Sequence, residues 1–251
     1  MAKPAERDKL VRIAGLPAVR ALFERSPGRV ERLFFEPHLR AAAGGFCRDL
    51  ARARKPYREV DADELARVAG TVLHGGIVAV AHPNPVLPFD PENARRWAET
   101  GAPLFLLDGI GNPHNLGAIA RTAAFFGLDR LVLSDHPGQA GPSEAAHRVA
   151  EGGLEYVQLY KAARFAATLK RLRPHYRVVG TALTPGAEPM DRLPTDRPLA
   201  LILGNEEDGL PRTTLEACDN IVMIPGAGPI QSLNVAATAA ILIHHCTRNR
   251  K

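Results

Sequence analysis

Three stretches of this chain set polar side chains where an apolar run gives way to a helix-like pattern. The last of them, Ile224 to His245, reads IPGAGPIQSLNVAATAAILIHH. A β-like run over 220–224 enters a Pro/Gly turn. Ser232, Leu233 and Asn234 follow, then a helix of small residues. Ser232 and Asn234 stand where side-chain oxygens cap free backbone N–H groups. Capping needs only one such residue, and Gly226, Gly228 and Pro229 leave backbone groups open to meet a ligand. The first stretch, Leu107 to Gly127, ends a short apolar strand at Asp108 and Gly109. It places Asn115 as a plausible N-cap and Arg121 six residues further on. The middle stretch, Leu199 to Pro211, ends a strand at Gly204 and carries Glu206, Glu207 and Asp208 before Gly209. Ligands of open α/β sheets sit beyond the carboxyl ends of the strands, and all three loops belong to that edge. Together they predict an active site.

These residues match three motifs in order. Asn115, Gly117 and Arg121 fit N-x-G-x-x-x-R. Gly204, Glu206, Gly209 and Leu210 fit G-x-E-x-x-G-L. Ile224, Pro225 and Gly228, followed by Ser232, Leu233, Asn234 and Val235, fit I-P-x-x-G and then S-L-N-V. On these the chain resembles the SpoU/TrmH family of RNA ribose 2′-O-methyltransferases, within the SPOUT superfamily. The match covers about 150 residues, and three ordered motifs are far more specific than one glycine pattern. Asn112 stands where the family often has Asp, and Gly226 where Met is common; neither departure touches the matched polar residues.

The resemblance implies S-adenosylmethionine as cofactor and an RNA acceptor, ribosomal RNA ahead of transfer RNA. It also implies a homodimer whose subunits complete each other's sites, and a trefoil knot in the C-terminal domain. It places the cofactor against Thr181, Leu183, Gly204, Ile224, Gly228 and Leu233, with Ile224 and Leu233 packing on the adenine. Its catalytic set falls on Arg121, Asn115, Glu206, Ser232 and Asn234. Alignment of donor and acceptor contributes about 7–11 kcal/mol to such a displacement. A guanidinium is normally charged, so Arg121 either acts briefly as a base or stays charged and stabilises the developing alkoxide. Asn115 would hold Arg121 or a phosphate, and Glu206 would orient Arg121. Ser232 and Asn234 would shape their loop and bond the acceptor or Arg121.

Blander readings stand beside these. Asn115 and Ser232 could be caps only, and Glu206 could belong to a solvated acidic loop. His114 is tempting as a base, yet the motif does not require it. His244 and His245 are adjacent on a helix and point apart, so no metal site is expected.

The elements that must position these residues form two units. The C-terminal part alternates strands near 104–107, 130–133, 155–160, 177–182, 199–203 and 220–224 with helices. That is the pattern of an α/β fold, a mostly parallel sheet with helices on both faces. Ahead of it, residues 1–82 read as a small α/β domain: helices at Leu16 to Phe23 and Pro37 to Ala53, a helix capped by Asp61, and strands at Val30 to Phe35 and Gly76 to Ala81. This order is similar to the RNA-binding domain that precedes many of the family's catalytic domains. Pro83, Pro85, Pro88 and Pro91 make 83–98 a stiff linker, and the methyltransferase domain spans 99–251.

Composition agrees. The 251 residues carry a net charge of +5. The excess is uneven: residues 1–58 hold 14 Lys and Arg against 6 Asp and Glu, whereas 101–251 hold 15 against 14. A basic N-terminal unit suits phosphates, and Arg48, Arg52 and Arg54 are its candidate RNA contacts. No apolar run approaches the roughly 18 residues of a membrane helix, and no secretory signal is evident. Three scattered cysteines make no disulfide framework. A cytoplasmic setting fits best. Two other functions remain open: a non-catalytic RNA-binding assembly factor, which would fail to bind cofactor, and a dinucleotide-dependent oxidoreductase. The latter should show G-x-G-x-x-G after a strand, and no such array is present.

Overall fold

The computed structural model describes residues 10–193, 196–205 and 208–248. Glu206, expected in the catalytic set, lies outside the described residues. The N-terminal unit runs β1 (Val11–Ala14), α1 (Leu16–Arg25), β2 (Val30–Phe35), α2 (Arg40–Arg52), β3 (Tyr57–Glu59), α3 (Ala62–Ala69) and β4 (Ile77–Ala81). Its sheet has the order β1-β4-β2-β3, with β4 antiparallel to both neighbours and β2 parallel to β3. Ile13, Leu33 and Ile77 face α1 and α2, whereas Val60, Leu65 and Val78 pack with α3 on the opposite face. Asp61 caps α3 by accepting from the Glu64 amide, and Gly70 ends it in the left-handed conformation.

The rest of the chain runs β5 (Leu87–Pro88), α4 (Pro91–Glu99), β6 (Leu104–Asp108), α5 (Pro113–Phe125), β7 (Arg130–Leu133), α6 (Glu144–Ala150), α7 (Gly153–Tyr156), β8 (Gln158–Lys161), α8 (Phe165–Leu172) and β9 (Arg177–Thr181). It continues with β10 (Glu188–Pro189), β11 (Leu199–Gly204), α9 (Arg212–Leu215), β12 (Asn220–Met223) and α10 (Val235–Thr247). Eight strands form one sheet, β10-β12-β9-β11-β6-β7-β8-β5, and every pairing in it is parallel. β6 is buried along its whole length, as a central parallel strand covered on both faces must be. Phe105 and Leu107 join the core under α5, α6, α7 and α10; Leu104 and Leu106 join the one under α4 and α8.

Three expectations need correction. The proline-rich stretch 83–98 is more than a connector. Leu87–Pro88 adds an edge strand beside β8, where proline is tolerated because its missing N–H breaks no ladder. Pro91 opens α4 at its first turn, with Asp90 as cap. Phe89, Trp97 and Tyr160 then pack together, and the Arg130 guanidinium lies 4.3 Å from the Trp97 ring centroid. Second, Asn115 is not a helix cap: Asn112 accepts from the His114 amide and Pro113 takes the first helical position. Third, the strand expected from 155 begins at Gln158, because 153–156 form the short helix α7.

The two units are docked through polar contacts. The Arg12 backbone and guanidinium both donate to Glu144, Arg29 pairs with the buried Glu155 at 2.5 Å, and Tyr156 donates to Glu24 at 2.5 Å.

Candidate active site at the carboxyl edge of the parallel sheet

The strand order reverses between β8 and β9, as the chain leaves one flank and restarts on the other side of β6. The crevice at such a reversal is where open parallel sheets bind ligands. β12, β9 and β11 lie side by side there. Thr181 is opposite Val222, Gly180 is opposite Ile202, and the Thr181 hydroxyl donates to the Ile202 carbonyl at 2.9 Å. Thr181 and Gly204 thus end β9 and β11, and Ile224 directly follows the neighbouring β12, so three residues expected around the cofactor lie at one edge.

Local geometry explains two motif glycines. A Cβ on Gly204 would stand 2.7 Å from the Gly209 backbone, and Gly209 itself has φ +69. Asn205 and Gly209 close this turn by exchanging backbone hydrogen bonds, and the Asn205 amide donates to the Gly109 carbonyl at 3.0 Å. The Thr214 hydroxyl donates to buried Asp108 at 2.6 Å, tying α9, just after that turn, to the end of β6. In the first motif, a Cβ on Gly117 would meet the Ala146 carbonyl at 2.4 Å, so this glycine lets α5 and α6 touch.

Beyond β12 the chain leaves regular structure until α10, and every residue from Pro225 to Asn234 is exposed. Gly226 and Gly228 face open space. Leu183, Ile230 and Leu233 are large apolar side chains with half or more of their surface in water. Open glycine backbone beside unburied aliphatic groups at a strand edge suits an adenosyl group, which needs apolar faces and backbone hydrogen bonds. Asn234, not Ser232, caps α10 by accepting from the Ala236 amide. The Asn234 side-chain amide donates to the Asn115 side-chain oxygen at 3.2 Å. The first and third motifs therefore meet directly. Ser232 lies on the exposed loop.

Arg121 sits elsewhere on α5. Its guanidinium pairs with Glu151 at 3.0 Å, and both side chains are about half exposed, at 56% and 49%. No sequence signal points to Glu151; it belongs to no motif and stands 30 residues away. It also borders a cleft of about 310 Å³ between the two units, lined by Leu16, Pro17, Arg20, Glu24 and Tyr156.

Arg48 and Arg52 project from α2, and Arg54 follows it with φ 56; all three are exposed. Nearby Arg40 is held by Glu59 through two 2.6 Å bonds, and Arg58 by Glu64. Arg52 lies 3.6 Å from Asp49, whereas Arg48 and Arg54 carry no ion pair among the described residues. Among the described residues, no three His, Cys, Asp or Glu side chains converge as metal ligands would. Burial pushes the Cys218 and Cys246 thiols up to about 12, which keeps them protonated.

The profile of the SpoU rRNA Methylase family matches residues 103–244, more than half of the chain. The chain belongs to the SpoU family. Residues 12–87 match the RNA 2′-O ribose methyltransferase substrate binding family, so both units of this SpoU protein have named counterparts. A 23S rRNA (guanosine-2′-O-)-methyltransferase RlmB from Acinetobacter baylyi is 32% identical over 94% of this chain and 96% of its own length. The protein of the same name from Nitrosomonas europaea is 36% identical over 74% of this chain and 71% of its own. Among solved structures, an AdoMet-bound rRNA methyltransferase from Sinorhizobium meliloti superposes with a TM-score of 0.78 at 20% identity, covering 96% of this chain and 88% of that one. The SpoU methyltransferase AviRb from Streptomyces viridochromogenes gives 0.73 at 23%, covering 96% and 90%. The SPOUT-type fold expected from the motifs is the fold observed. None of the described SpoU helices is long and apolar enough to cross a membrane.

Proposed function

We propose that this S-adenosylmethionine-dependent RNA ribose 2′-O-methyltransferase takes a guanosine of large-subunit ribosomal RNA as its acceptor, working as a cytoplasmic homodimer. The observation that carries the acceptor is the RlmB relationship, which extends through both units and nearly the full length of each chain. When bound, S-adenosylmethionine would supply an activated methyl group on its sulfonium; transfer to the ribose 2′-oxygen would release S-adenosylhomocysteine as the leaving thioether and the hydroxyl proton to water. The residues proposed to hold it are Thr181, Leu183, Gly204, Ile224, Gly228 and Leu233. Arg121 stays charged, touches the acceptor nucleotide and stabilises the oxyanion. Asn115 and Asn234, already bonded to each other, join the first and third motif loops, and Ser232 faces the acceptor. The assignment of Glu206 to this group rests on the motif alone. Arg48, Arg52 and Arg54 take RNA phosphates.

Two features support the homodimer. Phe125 is 82% exposed at the end of α5, and Ile241 is exposed on α10, which packs against α5. These two helices offer an apolar face that a second copy would cover. Arg121, six residues beyond Asn115 on α5, is tied instead to Glu151, so one subunit would lend its arginine to the loop of the other. The trefoil knot is supported by the strand order. The chain runs out along β9 and β10, then returns to insert β11 between β9 and β6.

The test is calorimetric binding of S-adenosylmethionine, followed by tritium-methyl transfer to unmodified 23S rRNA and digestion to nucleosides. Label in 2′-O-methylguanosine is the expected result. Absence of cofactor binding would sink the enzymatic reading in favour of an RNA-binding assembly factor. Label confined to transfer RNA would overturn the acceptor.

A further inference from the structure

Glu151 ends α6 with its backbone in the left-handed conformation, φ 45. Helices that end this way usually place glycine or asparagine there, because a longer side chain strains that backbone. The next two residues are glycines, and both are forced. A Cβ on Gly152 would stand 2.8 Å from the Ala21 Cβ and 3.1 Å from the Pro17 carbonyl, both on α1 of the N-terminal unit. A Cβ on Gly153 would stand 2.7 Å from the Arg121 Cα. The turn is thus wedged between the first helix of the substrate-binding unit and the segment of α5 that carries Arg121. Its first position calls for glycine too, yet a glutamate occupies it, with its carboxylate 3.0 Å from an Arg121 nitrogen.

Stability does not account for that choice. Exposed ion pairs contribute little, and the left-handed backbone is unfavourable for any residue with a Cβ. Orientation does account for it. We propose that Glu151 is a positioning residue for Arg121. It fixes one edge of the guanidinium to the α6–α7 turn and leaves the remaining N–H donors for the acceptor nucleotide. Because the same turn is seated against α1, the pose of Arg121 is set by the docking of the RNA-binding unit. This inference rests on the proposed role of Arg121 at the acceptor.

The experiment compares Glu151→Gly, Glu151→Gln and Glu151→Asp in steady-state methylation of 23S rRNA, with thermal unfolding and S-adenosylmethionine titration alongside. Glycine relieves the left-handed backbone, so its unfolding midpoint should hold or rise while kcat falls about tenfold or more, as misplacement of a reacting group implies. Glutamine should show the same loss with KM for S-adenosylmethionine unchanged. Aspartate keeps the carboxylate and tolerates the left-handed region, so it should recover most of the turnover. A glycine variant that loses stability leaves the contrast between glutamine and aspartate to decide. Equal turnover in glutamine, aspartate and unaltered enzymes overturns the role of Glu151, as does an aspartate variant no better than glutamine. Failure of the unaltered protein to methylate the RNA overturns the proposed activity and this inference with it. Transfer by the unaltered protein alongside undiminished variants overturns this inference alone.

Discussion

Arg121 presents a guanidinium that is half in water and tied at one edge, the condition of a group waiting for an anion rather than for a proton. A fork of fixed N–H donors suits a phosphate or a nascent alkoxide. Arg121→Ala should therefore lower kcat by about 10²–10³ or more while the S-adenosylmethionine affinity measured by calorimetry stays within about twofold. Undiminished transfer by that variant would remove the arginine from the reaction. Arg48, Arg52 and Arg54 are proposed to act through a different force, the salt-dependent attraction of phosphates. Neutralising all three should weaken RNA binding and reduce the slope of log affinity against log salt by about 2–3, at about 0.7–0.9 for each phosphate left without its cation. A filter-binding series with an unchanged slope would show that these charges are only solvated. Arg40 and Arg58, already engaged by carboxylates, should matter less to that slope.

Among the elements, α6 and α7 carry the contacts that bind the two units together, and they bury an unusual group. His147 is 2% exposed, with Nδ1 3.8 Å from a Glu155 carboxylate oxygen. Burial, aided by the nearby Arg29 charge, holds its imidazole down at about 4. Burial pushes the Glu155 carboxyl up, and the Arg29 guanidinium opposes that shift. A base whose folded value is depressed contributes stability above its unfolded value of about 6.5 and loses it as pH falls through the folded one. His147 should accordingly withdraw up to roughly 3 kcal/mol of stability between about pH 6.5 and 4. His147→Gln should flatten the unfolding midpoint against pH in that window; an unaltered profile would place the acid sensitivity elsewhere. Elements such as these also show what spacing conveys. The apolar runs at Leu104–Asp108 and Leu199–Gly204 are legible because central parallel strands are buried on both faces. The cap at Asn112 escapes a motif-led reading although Asn before Pro is a strong start signal; Asn115, in a motif, draws the assignment instead. The proline run at 83–98 hides a strand and a helix because proline is tolerated at both a sheet edge and a helix start. Glu151, Arg29 and Glu155 are invisible for a simpler reason: each acts on a residue far away in sequence, and no local pattern records such a meeting.

At the scale of the whole molecule, a single chain leaves its motif loop from Pro225 to Asn234 open to water and an aromatic ring stranded on α5. Association through the α5–α10 face would cover both. Phe125→Glu should convert the species seen by sedimentation from dimer to monomer and reduce methylation by at least about tenfold, with the thermal midpoint of the monomer little changed. A variant that sediments as the unaltered protein does would place the interface on another face. The strand order has one more consequence, for synthesis. A chain growing from its N-terminus completes the four-stranded sheet by Ala81 and lays down β6, β7 and β8 before any proposed cofactor residue exists. Thr181, Gly204, Ile224 and Asn234 emerge only in the last third of translation. A ribosome that stalls near Arg177 has already made the unit proposed to grip RNA and the arginine that would meet it, but no seat for the methyl donor. The truncated product would occupy its RNA and leave it unmodified.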